Sequence, residues 1–235
     1  MARLLHEGWA MRHFVIGVLL IVAVALSGML LAPPTVPAED DCKPIEDFAR
    51  GPIGEFPSAW KPRKDSGRDV YKVQDEGGKR FLRAMSQGLG VQAAREVQDW
   101  DLSAYPMLAW SWRPREFPKG ADERQSSTND SVLAVYMLVP YSRIAGPKAV
   151  KYIWSEKVPA GTHLESNNGL TQVRVLRSGG GGEWQQEKVN VLEDYRKYFG
   201  AGETPKPAGI AVLTDADDTK SSAAGDYADF KMCRK

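Results

Sequence analysis

The amino-acid sequence predicts an all-β fold, a jelly-roll-like β-sandwich with one short surface helix, preceded by an N-terminal hydrophobic export helix. Two observations predict the sandwich. Apolar residues recur at period two in many short segments, and turns rich in glycine, proline and polar residues separate those segments. A third observation predicts the export helix, because residues 14–32 form one uninterrupted apolar run, FVIGVLLIVAVALSGMLLA.

The apolar run follows the basic residues Arg3 and Arg12 and precedes a proline-rich break, APPTVPAED. This order is typical of a segment that exports the rest of the chain. The run is longer than most signal cores and close to the length of a spanning helix. Residues 1–38 are therefore either a signal peptide cleaved before Glu39 or a membrane anchor. Both alternatives place one domain, residues 39–235, in the periplasm or outside the cell, either free or anchored to the inner membrane by residues 14–32.

The exported part of the chain is electrically neutral. Without residues 1–38, Lys+Arg falls from 31 to 29 and Asp+Glu falls from 30 to 29. A neutral chain with no basic cluster disfavours nucleic acid as a partner. Contact with a membrane is expected only through the N-terminal helix, if that helix is retained.

Strands follow one another along the domain. Residues 69–74 and 80–85 alternate around a Gly-Gly turn, which predicts a hairpin. The segment LAWSWR at 108–113 also has period two, and the continuous apolar run at 131–139 predicts a strand that is buried on both faces. The same pattern predicts strands over 149–154, 170–176, 209–214 and 227–232.

One segment has helical spacing. Asn190 is a candidate N-cap and Gly200 a candidate stop signal. Between them the apolar residues recur at intervals of one, three and four, which predicts the surface helix. Those residues are Val191, Leu192, Tyr195, Tyr198 and Phe199.

The two cysteines, Cys42 and Cys233, stand at opposite ends of the exported domain. Because exported proteins fold under oxidising conditions, we predict one disulfide between them. The bond requires the two Cα atoms to lie within about 7 Å of each other. In a sandwich, the first and last strands would then be neighbours. The alternative is two buried thiols that do not meet.

Histidine is nearly absent from the exported domain, where His163 is the only one and lies in a polar segment. A catalytic zinc site is therefore disfavoured, since such sites depend on His and Cys ligands. A serine hydrolase is disfavoured as well, because no Gly-x-Ser-x-Gly segment occurs.

The densest acidic cluster comprises Asp215, Asp217 and Asp218, directly after the strand predicted at 209–214. Several interpretations remain open: a hydrogen-bonded turn, a ligand site, a site for a hard cation such as calcium, or the acid and base of a glycosidase. A second polar cluster contains Asp122, Arg124 and Asp130. Asp122 and Arg124 either pair to fix a loop or line a polar cleft with Asp130.

Six tryptophans follow the export segment, and rings beside acids and amides are a common means of holding sugars. Trp154 and Trp184 border polar or glycine-rich stretches, so they are the two expected at the surface. Packing in the core is the alternative for each of them.

The order of motifs resembles the bacterial Domain of Unknown Function 3047 family. The motifs are LAWSWR at 108–113, GADER at 120–124, ND at 129–130, NV at 190–191, DYR at 194–196, IAVLTDADDT at 210–219 and GDYADF at 225–230. The resemblance covers nearly all of residues 45–232 and implies an exported β-domain without an established activity. It also suggests a cleft near Asn190, although the sequence Lys188-Val-Asn and the four-glycine run depart from the family pattern.

The first and last predicted strands are also similar, at the level of the fold, to those of jelly-roll carbohydrate-binding modules. The likeness implies a structural calcium near the paired end strands, with Asp47 and Asp229 as its first ligands. Fold analogy alone is weak support for a function.

The leading functional prediction is non-catalytic binding of a glycan or another cell-envelope polymer. One alternative is a glycoside hydrolase that uses Asp130 or Asp194 with Asp215 or Asp217. A second alternative is a structural or interaction protein of the envelope. The candidate ligand-binding residues are Asp122, Arg124, Asp130, Trp154, Asn190, Asp194, Asp215, Asp217 and Asp218.

Overall fold

The structure is a computed structural model that describes residues 41–234. The predicted export segment, residues 1–38 with its apolar run at 14–32, lies outside the described residues. Among residues 41–234, no helix is both long enough and apolar enough to cross a membrane.

The described residues form thirteen strands, two helices and a 3-10 turn. The strands are β1 (Cys42–Glu46), β2 (Trp60–Pro62), β3 (Tyr71–Glu76), β4 (Lys79–Gln87), β5 (Ala93–Glu96), β6 (Met107–Glu116), β7 (Leu133–Ser142), β8 (Gly146–Ser155), β9 (His163–Ser166), β10 (Thr171–Ser178), β11 (Gln185–Asn190), β12 (Gly209–Leu213) and β13 (Ser222–Cys233). The helices are α1 (Gly67–Val70) and α2 (Val191–Phe199), and the turn is Ser126–Thr128.

The strands form two sheets, so the predicted all-β, jelly-roll-like sandwich is confirmed. Sheet A has the order β11-β6-β13-β4-β3, and β1 pairs with β13 beyond the end of β4. Sheet B has the order β2-β5-β12-β7-β8-β10-β9. All neighbours in the two sheets are antiparallel except β8 and β10, which are parallel.

The main core lies between the two sheets and is rich in aromatic rings. Trp110 and Trp112 of β6 contact Tyr152 and Trp154 of β8, with ring centroids 5.7 Å apart in each pair. Period two places Val150, Tyr152 and Trp154 on the same face of β8, toward sheet A. The expectation that Trp154 lies at the surface is therefore wrong, since its side chain is only 4% exposed.

The predicted hairpin and helix are confirmed. β3 and β4 pair around Gly77 and Gly78, both of which have positive φ, as a tight turn requires. The Asn190 side chain accepts a hydrogen bond from the backbone N–H of Glu193, and α2 ends at Phe199, directly before Gly200. The single-turn helix α1 and the strands β2, β5, β9 and β11 were not predicted.

The disulfide is confirmed, and the first and last strands are neighbours. Cys42 and Cys233 are directly opposite each other in the β1–β13 ladder, and their Cα atoms are 3.9 Å apart. The bond closes almost the whole described chain into one covalent loop.

Sheet B is covered on both faces. β7 sends Leu133, Val135 and Met137 into the main core, while Ala134 and Tyr136 belong to a second apolar cluster on the opposite face. The prediction of a strand buried on both faces is thus confirmed for β7. We refer to the face of each sheet that points away from the main core as its outer face.

Candidate functional site

A cavity of about 630 Å³ opens on the outer face of sheet B, and we call it the outer-face cavity. Such a volume is in the range typical of small-molecule sites. Residues of β7, β8, β9, β10 and β12 and of the adjoining loops line it. They include Arg63, Gln92, Asn129, Tyr136, Leu138, Pro147, Ala149, Lys151, Ser166, Asn167, Thr171, Leu213, Asp215 and Asp218.

The register of sheet B builds the floor of this cavity. Tyr136 is directly opposite Ala211 on one side and Lys151 on the other, and Lys151 in turn is opposite Val173. Ala134, Ala149 and Ala211 belong to the same apolar cluster as Tyr136, and Ala149 lines the cavity with Tyr136 and Lys151. Because its side chain is short, Ala149 leaves space beside these two long side chains.

Lys151 is the charged group on the cavity floor. The residue is only 6% exposed, and its Nζ lies 5.6 Å from the centroid of the Tyr136 ring. No carboxylate oxygen of residues 41–234 lies within 4.0 Å of this Nζ. Burial lowers the pKa of Lys151, but interactions with Tyr136, Asp215 and Glu123 outweigh burial and raise the pKa above its usual value. Lys151 is therefore a buried ammonium.

Asp215 is the acidic group beside the floor. It follows β12 and accepts a hydrogen bond from the backbone N–H of Ser131, with an N–O distance of 2.6 Å. Burial raises the pKa of Asp215 to about 7, while Lys151 and the Ser131 N–H act in the opposite direction. Asp215 therefore changes protonation state near neutral pH, as a general acid does.

Asp130, Asp215 and Asp217 each offer a carboxylate oxygen within 4.8 Å of the others. Asp130 is fully buried and fixes the turn at residues 218 and 219. It accepts hydrogen bonds from the backbone N–H groups of Asp218 and Thr219 and from the Thr219 hydroxyl. Asp217 packs over Gly90. A side chain at position 90 would collide with it, because a Cβ there would lie only 2.4 Å from the Asp217 Oδ1. These contacts match the hydrogen-bonded turn, one of the interpretations that the sequence left open.

Asp218 completes the acidic side of the cavity. Its pKa is raised by desolvation and by the charges of Asp130 and Asp217. Asp215 and Asp218 are thus two carboxyl groups that line one cavity, and the sequence had placed both among the candidate ligand-binding residues.

The other candidate ligand-binding residues do not line the outer-face cavity. Asp122 and Arg124 pair with each other in an exposed loop, with a 2.6 Å contact. Trp154 faces the main core and donates to the Gly179 carbonyl. Asn190 caps α2, and the buried Asp194 accepts from the Tyr152 hydroxyl and from Arg174. Each of these side chains has a partner within the fold.

The residues suggested for a calcium site do not fit that ion. Asp229 accepts from the Lys79 ammonium at 2.5 Å and from the Ser111 hydroxyl at 3.0 Å. A calcium ion bound to Asp229 would meet the positive charge of Lys79. Asp47 is exposed and accepts the N–H of Ala49.

The outer face of sheet A carries a network of charged groups. Asp226 is fully buried and accepts from Arg83, Arg113 and Arg115 at 2.6–2.8 Å. Glu76 contacts the same three guanidinium groups, and its hydrogen bond with Arg113 is the main reason that the pKa of Glu76 falls to about 2. We call these five residues the arginine network.

Trp184 lies beside this network, half-buried on the outer face of sheet A. Its ring meets the Phe81 ring edge-on at 5.5 Å, and the Arg113 guanidinium lies 4.6 Å above it. Phe81 itself is fully buried under these groups. The sequence placed Trp184 at the surface, and the structure shows its ring occupied by protein neighbours.

Sequence reasoning missed Lys151, Tyr136 and Gln92. A signal for Lys151 is nonetheless present, because it is the one charged residue in the strand segment AVKYIW at 149–154. A charge inside a strand that is covered on both faces points either to a buried partner or to a ligand.

A family model described as "Protein of unknown function (DUF3047)" matches residues 58–231. No curated protein matches the chain. Among solved structures, a family 11 carbohydrate-binding module of a cellulosomal cellulase of Clostridium thermocellum is 10% identical, with a TM-score of 0.43 over 84% of this chain and 97% of that one. The xyloglucanase domain of NopAA from Sinorhizobium fredii is also 10% identical, with a TM-score of 0.32 over 76% and 97% of the two chains.

Proposed function

The chain belongs to the DUF3047 family, whose function is unknown, and we propose that it binds a glycan in the outer-face cavity without catalysis. The observation that carries the proposal is the lining of that cavity. Gln92, Asn129, Asn167 and Thr171 offer neutral donors and acceptors over an open space of about 630 Å³. A sugar presents many hydroxyl groups, each of which donates and accepts, and amide side chains match both roles.

Apolar groups in the same lining suit the other surface of a sugar. Leu138, Pro147 and Leu213 line the cavity together with Tyr136. Their carbon atoms can contact the C–H groups of a pyranose ring, while the polar groups around them hold its hydroxyls. A cavity with apolar walls and a few convergent polar groups is the usual form of a small-molecule site.

The proposal includes export to the periplasm or beyond. The support is the N-terminal sequence pattern, in which the basic residues Arg3 and Arg12 precede the apolar run at 14–32. An envelope or extracellular polymer is the glycan that a protein in that compartment would meet.

Binding of the purified protein to a panel of soluble polysaccharides and peptidoglycan fragments tests the proposal. Gln92→Ala should weaken a saturable interaction at least tenfold, since Gln92 lines the cavity. Gln186→Ala is the matched control, because Gln186 is exposed in sheet A opposite Ser111. If no polymer binds, or if Gln92→Ala binds as tightly as the unmodified protein, the proposal fails.

A glycoside hydrolase is the second candidate function. One observation favours it: Asp215, with a pKa of about 7, and Asp218 line the same cavity. A carboxyl group that holds its proton near neutral pH is what a glycosidase needs as its general acid. The polymers of the binding panel should then release reducing ends, and Asp215→Asn should abolish the release. Binding without release would leave the non-catalytic function.

A further inference from the structure

We propose that the glycan held in the outer-face cavity is acidic and that a carboxylate of one of its sugars pairs with the Lys151 ammonium. The inference rests on the proposed glycan-binding function and adds the substrate class.

Lys151 is a buried charge next to an open space. The residue is more than nine-tenths buried and lines the cavity, and no carboxylate of residues 41–234 comes within ion-pair distance of its Nζ. Burial of an ammonium group is costly unless the charge is paired. The outer-face cavity is the open space next to this charge, so a bound anion can reach it from there.

Other charged groups also line the cavity. Arg63 adds a second positive group to the lining, and Asp215 and Asp218 add two acidic groups. Glu123 and Tyr136 also interact with Lys151. A bound uronic acid would bring one carboxylate to the two cations, Lys151 and Arg63.

Asp215 does not take the place of the ligand carboxylate. Its Oδ1 is held by the Ser131 N–H, and burial gives the group a pKa of about 7. A large fraction of Asp215 is therefore protonated and neutral near pH 7. The protonated fraction of Asp215 does not compete with a bound anion for the Lys151 ammonium.

Other buried charges of the molecule differ from Lys151 in their partners. Asp226 contacts three guanidinium groups and Asp194 contacts Arg174, so these carboxylates are paired within the protein. Glu123 has no ion pair either: one oxygen accepts from the Ser155 hydroxyl, the other has no hydrogen-bond partner among the described residues, and burial raises the pKa of this carboxyl. Lys151 is a buried cation that has no ion pair among the described residues and that lines a cavity open to a ligand.

The test compares acidic polysaccharides with their own carboxyl-reduced derivatives. Galacturonan, alginate and hyaluronan, each with its reduced counterpart, are titrated against the purified protein at one ionic strength. We expect at least one acidic polymer to bind at least tenfold more tightly than its reduced form. Lys151→Gln should remove this difference, whereas Lys72→Gln, a substitution on β3 of sheet A, should leave it unchanged.

The outcomes separate the two proposals. Equal or tighter binding of the reduced polymers would overturn the acidic-ligand inference and leave glycan binding intact. Absence of binding to every polymer, acidic or reduced, would count against glycan binding itself, and the inference would fall with it. Should Lys151→Gln not fold, as its melting curve will reveal, the preference measured on the unmodified protein still decides the question.

Discussion

The outer faces of the two sheets differ in whether their charged groups are paired within the protein. On sheet A, Asp226 and Glu76 satisfy three arginines at hydrogen-bond distance, so the charges are paired within the protein. On sheet B, the buried Lys151 lines the outer-face cavity and has no carboxylate oxygen of the described residues within 4.0 Å of its Nζ. The comparison teaches that the more highly charged face is the less suitable binding site, since its groups already have partners.

The two faces also differ in what a ligand would gain. A glycan carboxylate at the arginine network would have to displace Asp226 or Glu76 from their guanidinium partners. At Lys151 the same carboxylate would add an interaction without breaking an ion pair within the described chain. Charge density alone is thus a poor guide to function, and the pairing of each charge is a better one.

The largest expected effect follows from breaking the covalent bond of sheet A. Reduction of the Cys42–Cys233 disulfide should destabilise the protein by up to about 5 kcal/mol, because the bond closes a loop with a sequence separation of 191 residues. The melting temperature should fall by at least several degrees. Thermal unfolding with and without reductant measures this effect.

The control for that experiment is a double variant, Cys42→Ser with Cys233→Ser. It should melt at the temperature of the reduced protein and should not respond to reductant. Equal melting of the oxidised and reduced protein would contradict the stabilising role. Ligand binding below the melting temperature should change little, since the cavity lies on the other sheet.

A somewhat smaller effect is expected from the arginine network. Asp226→Ala leaves three guanidinium groups without their buried acceptor, which should destabilise the fold by roughly 3 kcal/mol. The melting temperature should then fall by about 6–12 °C. Asp47→Ala is the comparison, since Asp47 has only a local hydrogen bond and its removal should cost no more than about 0.5 kcal/mol. A loss no larger than that of Asp47→Ala would show that the network does not stabilise sheet A.

The last effect, which is the smallest when counted per pH unit, concerns sheet B and depends on pH. The pKa of Asp215 rises from its ordinary value of 3.8 to about 7 in the folded protein. Between these values the folded state holds a proton that the unfolded state has lost, so the stability from this group falls as pH rises. The slope is at most about 1.4 kcal/mol per pH unit and flattens above pH 7.

Asp215→Asn lacks this titration. Its melting temperature relative to the unmodified protein should therefore be higher at pH 8 than at pH 4. Melting curves of both proteins across that range provide the measurement, with Asp47→Asn as the exposed control. Parallel curves for Asp215→Asn and the unmodified protein would mean that Asp215 titrates with an ordinary pKa.

Much of the fold could be predicted from sequence because local patterns determine it. The β3–β4 hairpin follows from alternation around two glycines, and α2 follows from its cap at Asn190. β11 has no such pattern, since five of the six residues in QQEKVN are polar. It is a strand because it pairs with β6 over its whole length, and pairing partners are distant in sequence.

The candidate site could be predicted only in part, for a related reason. The acidic cluster at 215–218 is visible as a local motif, and two of its members line the cavity. Tyr136 and Lys151 meet only because β7 and β8 are in a particular register. The polar neighbours of Trp154 in the sequence predict a surface position, whereas the face that it shares with Val150 and Tyr152 places it in the main core.

The pairing of β1 with β13 has a mechanical consequence. A force that pulls on residues 42 and 233 is carried by the disulfide between them, so the 190 residues in between remain unloaded. Stretched at these two points, the oxidised domain cannot extend, and a tether attached there would transmit tension past the sandwich. Reduction would turn the same element into an extensible one, with the β1–β13 ladder as the first contact to open.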